Sequence, residues 1–142
     1  TIGIVGPPLP YIDYFMPSIE EAKDKSGQST AEDCAKFFLD RGAACCVFTL
    51  GGDGAYYAHK DGTRLTSPAY DIRIVDTTGC GDAYRSGILY GITRGLDWET
   101  AGQLASVMGA IKIEHRGGQN HQPTRDEIAD RFEAAFGRSP FA

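Results

Sequence analysis

Residues 43–50 read Ala-Ala-Cys-Cys-Val-Phe-Thr-Leu, an apolar run too short for an ordinary helix and bounded by Gly42 and by Gly51-Gly52. A run of this length and kind is expected as a strand buried on both faces. Such a strand needs cover above and below, which parallel sheets obtain from crossover helices. The chain offers them nearby. Ser18 is placed to cap a helix bearing Glu20, Glu21 and Ala22, and Thr30 with Asp33 opens another. In that second helix Ala31, Cys34, Ala35, Phe38 and Leu39 recur at helical spacing before Gly42. The expected class is therefore α/β, with a mostly parallel central sheet.

Around this nucleus, Pro7, Pro8 and Pro10 interrupt any strand or helix and suggest a linker or truncated edge, while residues 11–16 read as a short strand ended by Pro17. Residues 55–59 and 63–66 read as two strands joined through Lys60-Asp61-Gly62, a β-hairpin adjoining the sheet. Residues 70–75 alternate imperfectly as a further strand. Residues 83–94 read as a helix ended by Gly95, with Ala83 and Gly87 small enough for close approach. Asp97 is placed to cap a helix with Ala101, Leu104, Ala105, Met108 and Ile111 on one face. A loop at Arg116-Gly117-Gly118 precedes a Thr124-x-x-Glu127 capping box and a last helix burying Ile128, Phe132 and Phe136.

Composition narrows the function. The 142 residues suit a single domain, and 14 basic against 19 acidic residues leave a net charge of −5 with no basic stripe, which argues against nucleic acid as a partner. Uncharged stretches end after a dozen residues, short of a membrane helix, and no export signal opens the chain, so a soluble, cytoplasmic protein is expected. Cys34, Cys45, Cys46 and Cys80 show no metal-ligand spacing, and Cys45 and Cys46 read as buried small hydrophobes. Glycine supplies 18 residues, well above an ordinary share.

The glycines matter most in Asp76-Thr77-Thr78-Gly79-Cys80-Gly81-Asp82, between an expected strand and an expected helix. Backbone N–H groups freed by glycine, together with a helix N-terminus, suit an anion such as phosphate. The same string also reads as a tight turn. Asp82 is placed either to take a proton from a hydroxyl attacking a bound phosphoryl group or simply to cap the helix. No G-x-x-x-x-G-K-[ST], H-R-D or D-F-G string occurs, which removes the P-loop and protein-kinase classes. A methyl-donor glycine loop should follow the first strand of its domain, whereas this one lies past mid-chain.

From Asp76 to Gly87 the string D-T-T-G-C-G-D-A-Y-x-x-G resembles the C-terminal signature of the PfkB family of carbohydrate and nucleoside kinases, the ribokinase-like group. Pro17-Ser18-Ile19-Glu20-Glu21-Ala22 resembles its P-N-x-x-E-A segment, Thr49-Leu50-Gly51-Gly52-Asp53-Gly54 its T-x-G-x-x-G turn, and Arg116-Gly117-Gly118 its late loop. The resemblance implies a ribokinase-like three-layer α/β/α sandwich. Residues 1–142 are then expected to be the C-terminal nucleotide-binding and catalytic part, without the N-terminal substrate and lid part. It further implies a cytoplasmic transferase that moves the γ-phosphoryl of ATP to a hydroxyl of a sugar or nucleoside, with Asp82 as general base and the N–H groups of Gly79, Cys80 and Gly81 as anion hole. Thr49, Gly51 and Gly54 are implied at the nucleotide, Ser106 and His115 near adenine, and Glu21 near Mg2+ through water. Read on its own, His115 is a surface histidine. Asp76 and Thr78, with Gly117 backbone opposite, are implied to hold a monovalent cation such as K+. Cys80 stands where alanine is common, so a redox-sensitive thiol beside the site is expected, and Ser18 replaces the usual asparagine. A partial sheet implies a homo-oligomer or association through its exposed edge. The alternative reading is a truncated, non-catalytic nucleotide- or anion-binding module.

Overall fold

In the computed structural model, which describes residues 2–69 and 72–141, four strands form one sheet in chain order: β1 (Tyr14–Phe15), β2 (Cys45–Thr49), β3 (Ala55–His59) and β4 (Arg64–Ser67). The apolar run is β2, buried from Cys45 to Phe48. β1 lies parallel to it, with Tyr14 opposite Cys45, but β3 lies antiparallel, with Cys45 opposite His59 and Thr49 opposite Ala55. The sheet is thus mixed, where a mostly parallel one was expected. The reason is the length of the link: a parallel crossover needs a dozen or more residues, and Gly51-Gly52-Asp53-Gly54 permits only a direct return. The hairpin of β3 and β4 extends this same sheet.

The chain divides into two compact units, Thr1–Thr66 and Ser67–Ala142. In the first, α1 (Ile19–Ser26) and α2 (Ala31–Leu39) pack on the sheet. Each is capped as the sequence predicts, Ser18 accepting from the Glu21 N–H and Thr30 from the Asp33 N–H. The fully buried Phe38 ring lies 4.6 Å from that of Phe15 and 6.2 Å from that of Phe48, measured between centroids. Cys34, Cys45 and Cys46 are buried in this unit, and burial pushes the Cys45 thiol up to about 11 and that of Cys46 to about 12. The proline-rich start is not a linker. It makes a single 3-10 turn, Leu9–Tyr11, with Leu9 fully buried, and Pro10 presses on Gly42 so closely that a Cβ there would meet the Pro10 Cα at 2.9 Å.

The second unit holds α3 (Cys80–Thr93), α4 (Trp98–Ile113) and α5 (Arg125–Phe136), with Asp97 and Thr124 capping the last two. α3 begins three residues before the expected position 83, because Gly79 takes a left-handed φ of 78° and starts the helix inside the glycine loop. Of the strand expected at residues 70–75, Tyr70 and Asp71 lie outside the described residues, and 72–75 form no strand. The Val75 and Asp76 N–H groups instead donate to the Ile113 carbonyl at the end of α4, at 2.9 and 3.0 Å. α4 is buried nearly all round, where a single apolar face was expected, since α3 and α5 both pack against it.

α3 and α4 run antiparallel and very close. A Cβ on Gly87 would sit 2.5 Å from the Ala105 Cα, and one on Gly91 2.5 Å from the Ala101 Cβ. The close approach expected of Gly87 is therefore made to α4. Replacing Gly87 by valine forces backbone apart, and Gly87→Val is expected to destabilise the unit by at least ~1–3 kcal/mol in urea unfolding. Gly52→Ala, at a position with open space around it, is expected to cost less than ~0.5 kcal/mol.

Candidate functional site

Two glycine loops meet in the second unit, and Asp76 joins them. Its Oδ1 accepts the Thr78 N–H at 2.9 Å and its Oδ2 the Gly117 N–H at 2.7 Å. The backbone bond from Thr78, then that from Gly117, then the Thr78 side chain hold the carboxyl at about 2, below its ordinary 3.8. Behind this bridge the loops touch through their backbones: a Cβ on Gly79 would lie 2.8 Å from the Gly118 carbonyl oxygen. Gly117, with φ 80°, completes the second turn.

α3 starts here without a cap. α1, α2, α4 and α5 each have a Ser, Thr or Asp side chain bonded to their first turn, whereas Gly79 offers none to α3. Unsatisfied N–H groups and the positive end of the helix dipole make such a start receptive to an anion. Of the three N–H groups expected to form an anion hole, that of Cys80 turns back to the Thr77 carbonyl at 3.1 Å. Asp82 is the third residue of α3 and not its N-cap, which sets aside the capping alternative. Its side chain is 86% exposed and pairs with Arg85 at 3.0 Å.

Three further residues of this unit were expected at or beside the site. Cys80 is half-buried, its Sγ is directed at the Gly109 carbonyl, and burial pushes the thiol up, which disfavours the reactive thiolate. Ser106 is buried, its hydroxyl 3.0 Å from the Gly102 carbonyl within α4 and 3.4 Å from that of Pro68. His115 is exposed, its Nδ1 2.7 Å from the Ile111 carbonyl, and it lines a cavity of about 160 Å³ with Gln122, Pro123, Glu127 and Arg131.

Sequence reading passed over Lys112. It is fully buried and donates from Nζ to the carbonyl oxygens of Asp76 and His115, each at 3.0 Å. The signal was available: Lys112 stands four residues after Met108 and next to Ile111, on the stripe expected to face inward.

In the first unit, Thr49 ends β2, pairs with Ala55 and bridges in parallel to Ser18. Ser18 and Glu21 form a reciprocal capping box, the Ser18 N–H donating to Glu21 Oε2 at 2.9 Å. The structure thus gathers Thr49, Ser18 and Glu21 at the carboxyl end of a sheet strand, where open α/β sheets bind ligands. Gly51 and Gly54 take φ of 61° and 93° in the turn that follows.

Glu21 suits Mg2+, whereas Asp76, expected to help hold a monovalent ion, already has partners on its oxygens. Mg2+ bound with nucleotide phosphates needs only one or two carboxylates, and the exposed Glu21 uses one oxygen in its cap. Around Asp76, by contrast, both carboxylate oxygens accept N–H groups and the carbonyl accepts an ammonium. Among the described residues no group of three His, Cys, Asp or Glu side chains could hold a metal, and no helix is long and apolar enough to cross a membrane.

Residues 8–125 match the pfkB family carbohydrate kinases. A 2-dehydro-3-deoxygluconokinase of Bacillus subtilis is 32% identical over 122 residues, 86% of this chain and 38% of its own length. A Burkholderia thailandensis nucleoside kinase, solved in complex with ADP-inosine, is 42% identical with a TM-score of 0.76, covering 94% of this chain and 45% of that one. A Thermotoga maritima ribokinase is 28% identical with a TM-score of 0.82, covering 93% and 46%. The fold is ribokinase-like α/β, and the chain spans less than half the length of these relatives.

The Asp76 bridge predicts a pH signature. Because its folded value of about 2 lies below the ordinary 3.8, the stability it gives is complete above about 4 and lost as pH falls toward 2. Asp76→Asn is expected to melt below the parent protein at neutral pH, with the gap narrowing between pH ~4 and ~2 in thermal unfolding.

Proposed function

The chain belongs to the pfkB family of carbohydrate kinases, and from that premise we propose that residues 1–142 are the nucleotide-binding and catalytic part of an ATP-dependent kinase acting on a hydroxyl of a sugar or nucleoside. The observation that carries this reading is the uncapped start of α3 at Gly79, packed on Gly118 and followed by the exposed carboxylate of Asp82. The N–H groups around Gly79 and Gly81 would receive charge on the moving phosphoryl group, in a place where fixed dipoles need no reorganisation. As the substrate oxygen bonds to the γ-phosphorus and the bond to ADP breaks, the hydroxyl proton passes to Asp82.

Thr49, Gly51 and Gly54 are proposed at the nucleotide, with Glu21 holding Mg2+ through water; when bound, the ion neutralises charge on the phosphates. His115 is proposed near adenine because it lines a cavity. Ser106, its hydroxyl already directed at backbone carbonyls, is proposed to act there through packing alone. Self-association through an exposed sheet edge also belongs to this reading, and sedimentation of the chain as a dimer or larger species would bear it out.

A non-catalytic nucleotide- or anion-binding module is the second reading, since an uncapped helix start packed on a second glycine loop can hold an anion without Asp82 acting as a base. Titration calorimetry with ADP and with AMP-PNP, each with Mg2+, is expected to show binding under both readings, and absence of binding overturns both. Phosphoryl transfer separates them. Asp82→Asn is expected to keep ADP affinity within about twofold while lowering turnover ~10²–10⁴-fold if Asp82 is the base. No turnover by the parent protein with any sugar or nucleoside leaves the binding module.

A further inference from the structure

Lys112 has no role in the chemistry above, yet its place is unusual. Lysine is rarely buried completely, and a buried ammonium ordinarily faces a carboxylate. Here Nζ donates to two carbonyl oxygens, those of Asp76 and His115. Carbonyl dipoles converge on the cation as they would on a bare monovalent ion, and the Asp76 carboxylate is the negative charge that acts on it without touching it. The last turn of α4, which carries Lys112, adds the negative end of its helix dipole.

The two carbonyls are not arbitrary. Asp76 opens the glycine loop that leads into α3, and His115 stands two residues before Gly117 in the other loop. One ammonium therefore ties together the roots of both loops, while the Asp76 carboxylate ties Thr78 and Gly117 from the other side. The family resemblance implies an exchangeable monovalent cation held by Asp76, Thr78 and backbone near Gly117. At Asp76 the carbonyl that would face such an ion is met by the Lys112 ammonium, and each carboxylate oxygen accepts an N–H group.

We propose that the Lys112 ammonium is a fixed internal cation, a positioning residue that holds the two glycine loops in contact and makes the second unit independent of added monovalent metal ions. Resting on the anion-site reading only for what the loops serve, it can be tested whether or not nucleotide binds.

The test is thermal unfolding of the whole 142-residue chain in potassium chloride and in N-methyl-D-glucamine chloride at matched ionic strength. The parent protein is expected to melt at the same temperature in both, within about 1 °C, because no ion binds the folded state preferentially. Lys112→Met is expected to lose about 5 °C or more in the glucamine salt and to recover part of that loss in potassium, which takes the vacated place. A parent protein stabilised by potassium overturns the proposal, and so does a variant that melts like the parent or equally low in both salts. If Lys112→Met does not fold, the two-salt comparison on the parent protein still decides.

Discussion

The second unit depends on how closely α3 and α4 approach. Gly87 and Gly91 on one helix face Ala105 and Ala101 on the other, with no room for a side chain between the backbones. Interiors are packed too densely to absorb an added group without backbone movement, so this contact fixes the pair along their length. Because the helices are antiparallel, it also brings the start of α3 beside the end of α4, where Cys80 meets the Gly109 carbonyl. The segments flanking those ends then have to meet. Gly79 against Gly118 and Asp76 against Gly117 follow from a crossing made two turns away.

Within that frame, charge sorts the two loops by depth. Lys112 lies fully buried behind them, Asp76 bridges them at an intermediate depth, and Asp82 stands in solvent at the first turn of α3. The buried charge is met by carbonyl dipoles, the intermediate one by N–H groups, and the outer one by a surface arginine. Each arrangement suits its depth, since an ion deprived of water needs fixed partners while an exposed ion pair contributes little to stability. The outermost carboxylate is the one left accessible to a reacting group.

Much of this was legible in the residues. The apolar run at 43–50 gave β2, and Ser18, Thr30, Asp97 and Thr124 cap the helices assigned to them, because strand burial and N-capping are decided by a few neighbouring residues. The glycine loop that leads into α3 could be found for the same reason. What escaped depends on partners distant in sequence. Nothing near position 80 says that Gly79 will start a helix early, since its conformation is fixed against Gly118. That the Cys80 thiol turns toward α4, which disfavours its thiolate, is set by Gly109, 29 residues away. Lys112 falls on the inward stripe with Met108, but that a charged residue could stay there depends on the carbonyls of Asp76 and His115, which only the folded loops supply. The mixed sheet was legible locally, since the shortness of the turn after β2 contained the answer.

Complete burial also takes Lys112 out of the set of amines that acylating reagents and modifying enzymes meet. Its nitrogen becomes reachable only when the unit opens. An acyl group added at that moment replaces a cation with a bulky neutral amide and leaves the carbonyls of Asp76 and His115 facing it without their charge. Closing around such an amide costs the folded state both the charge that the two carbonyls face and the packing fitted to the lysine side chain.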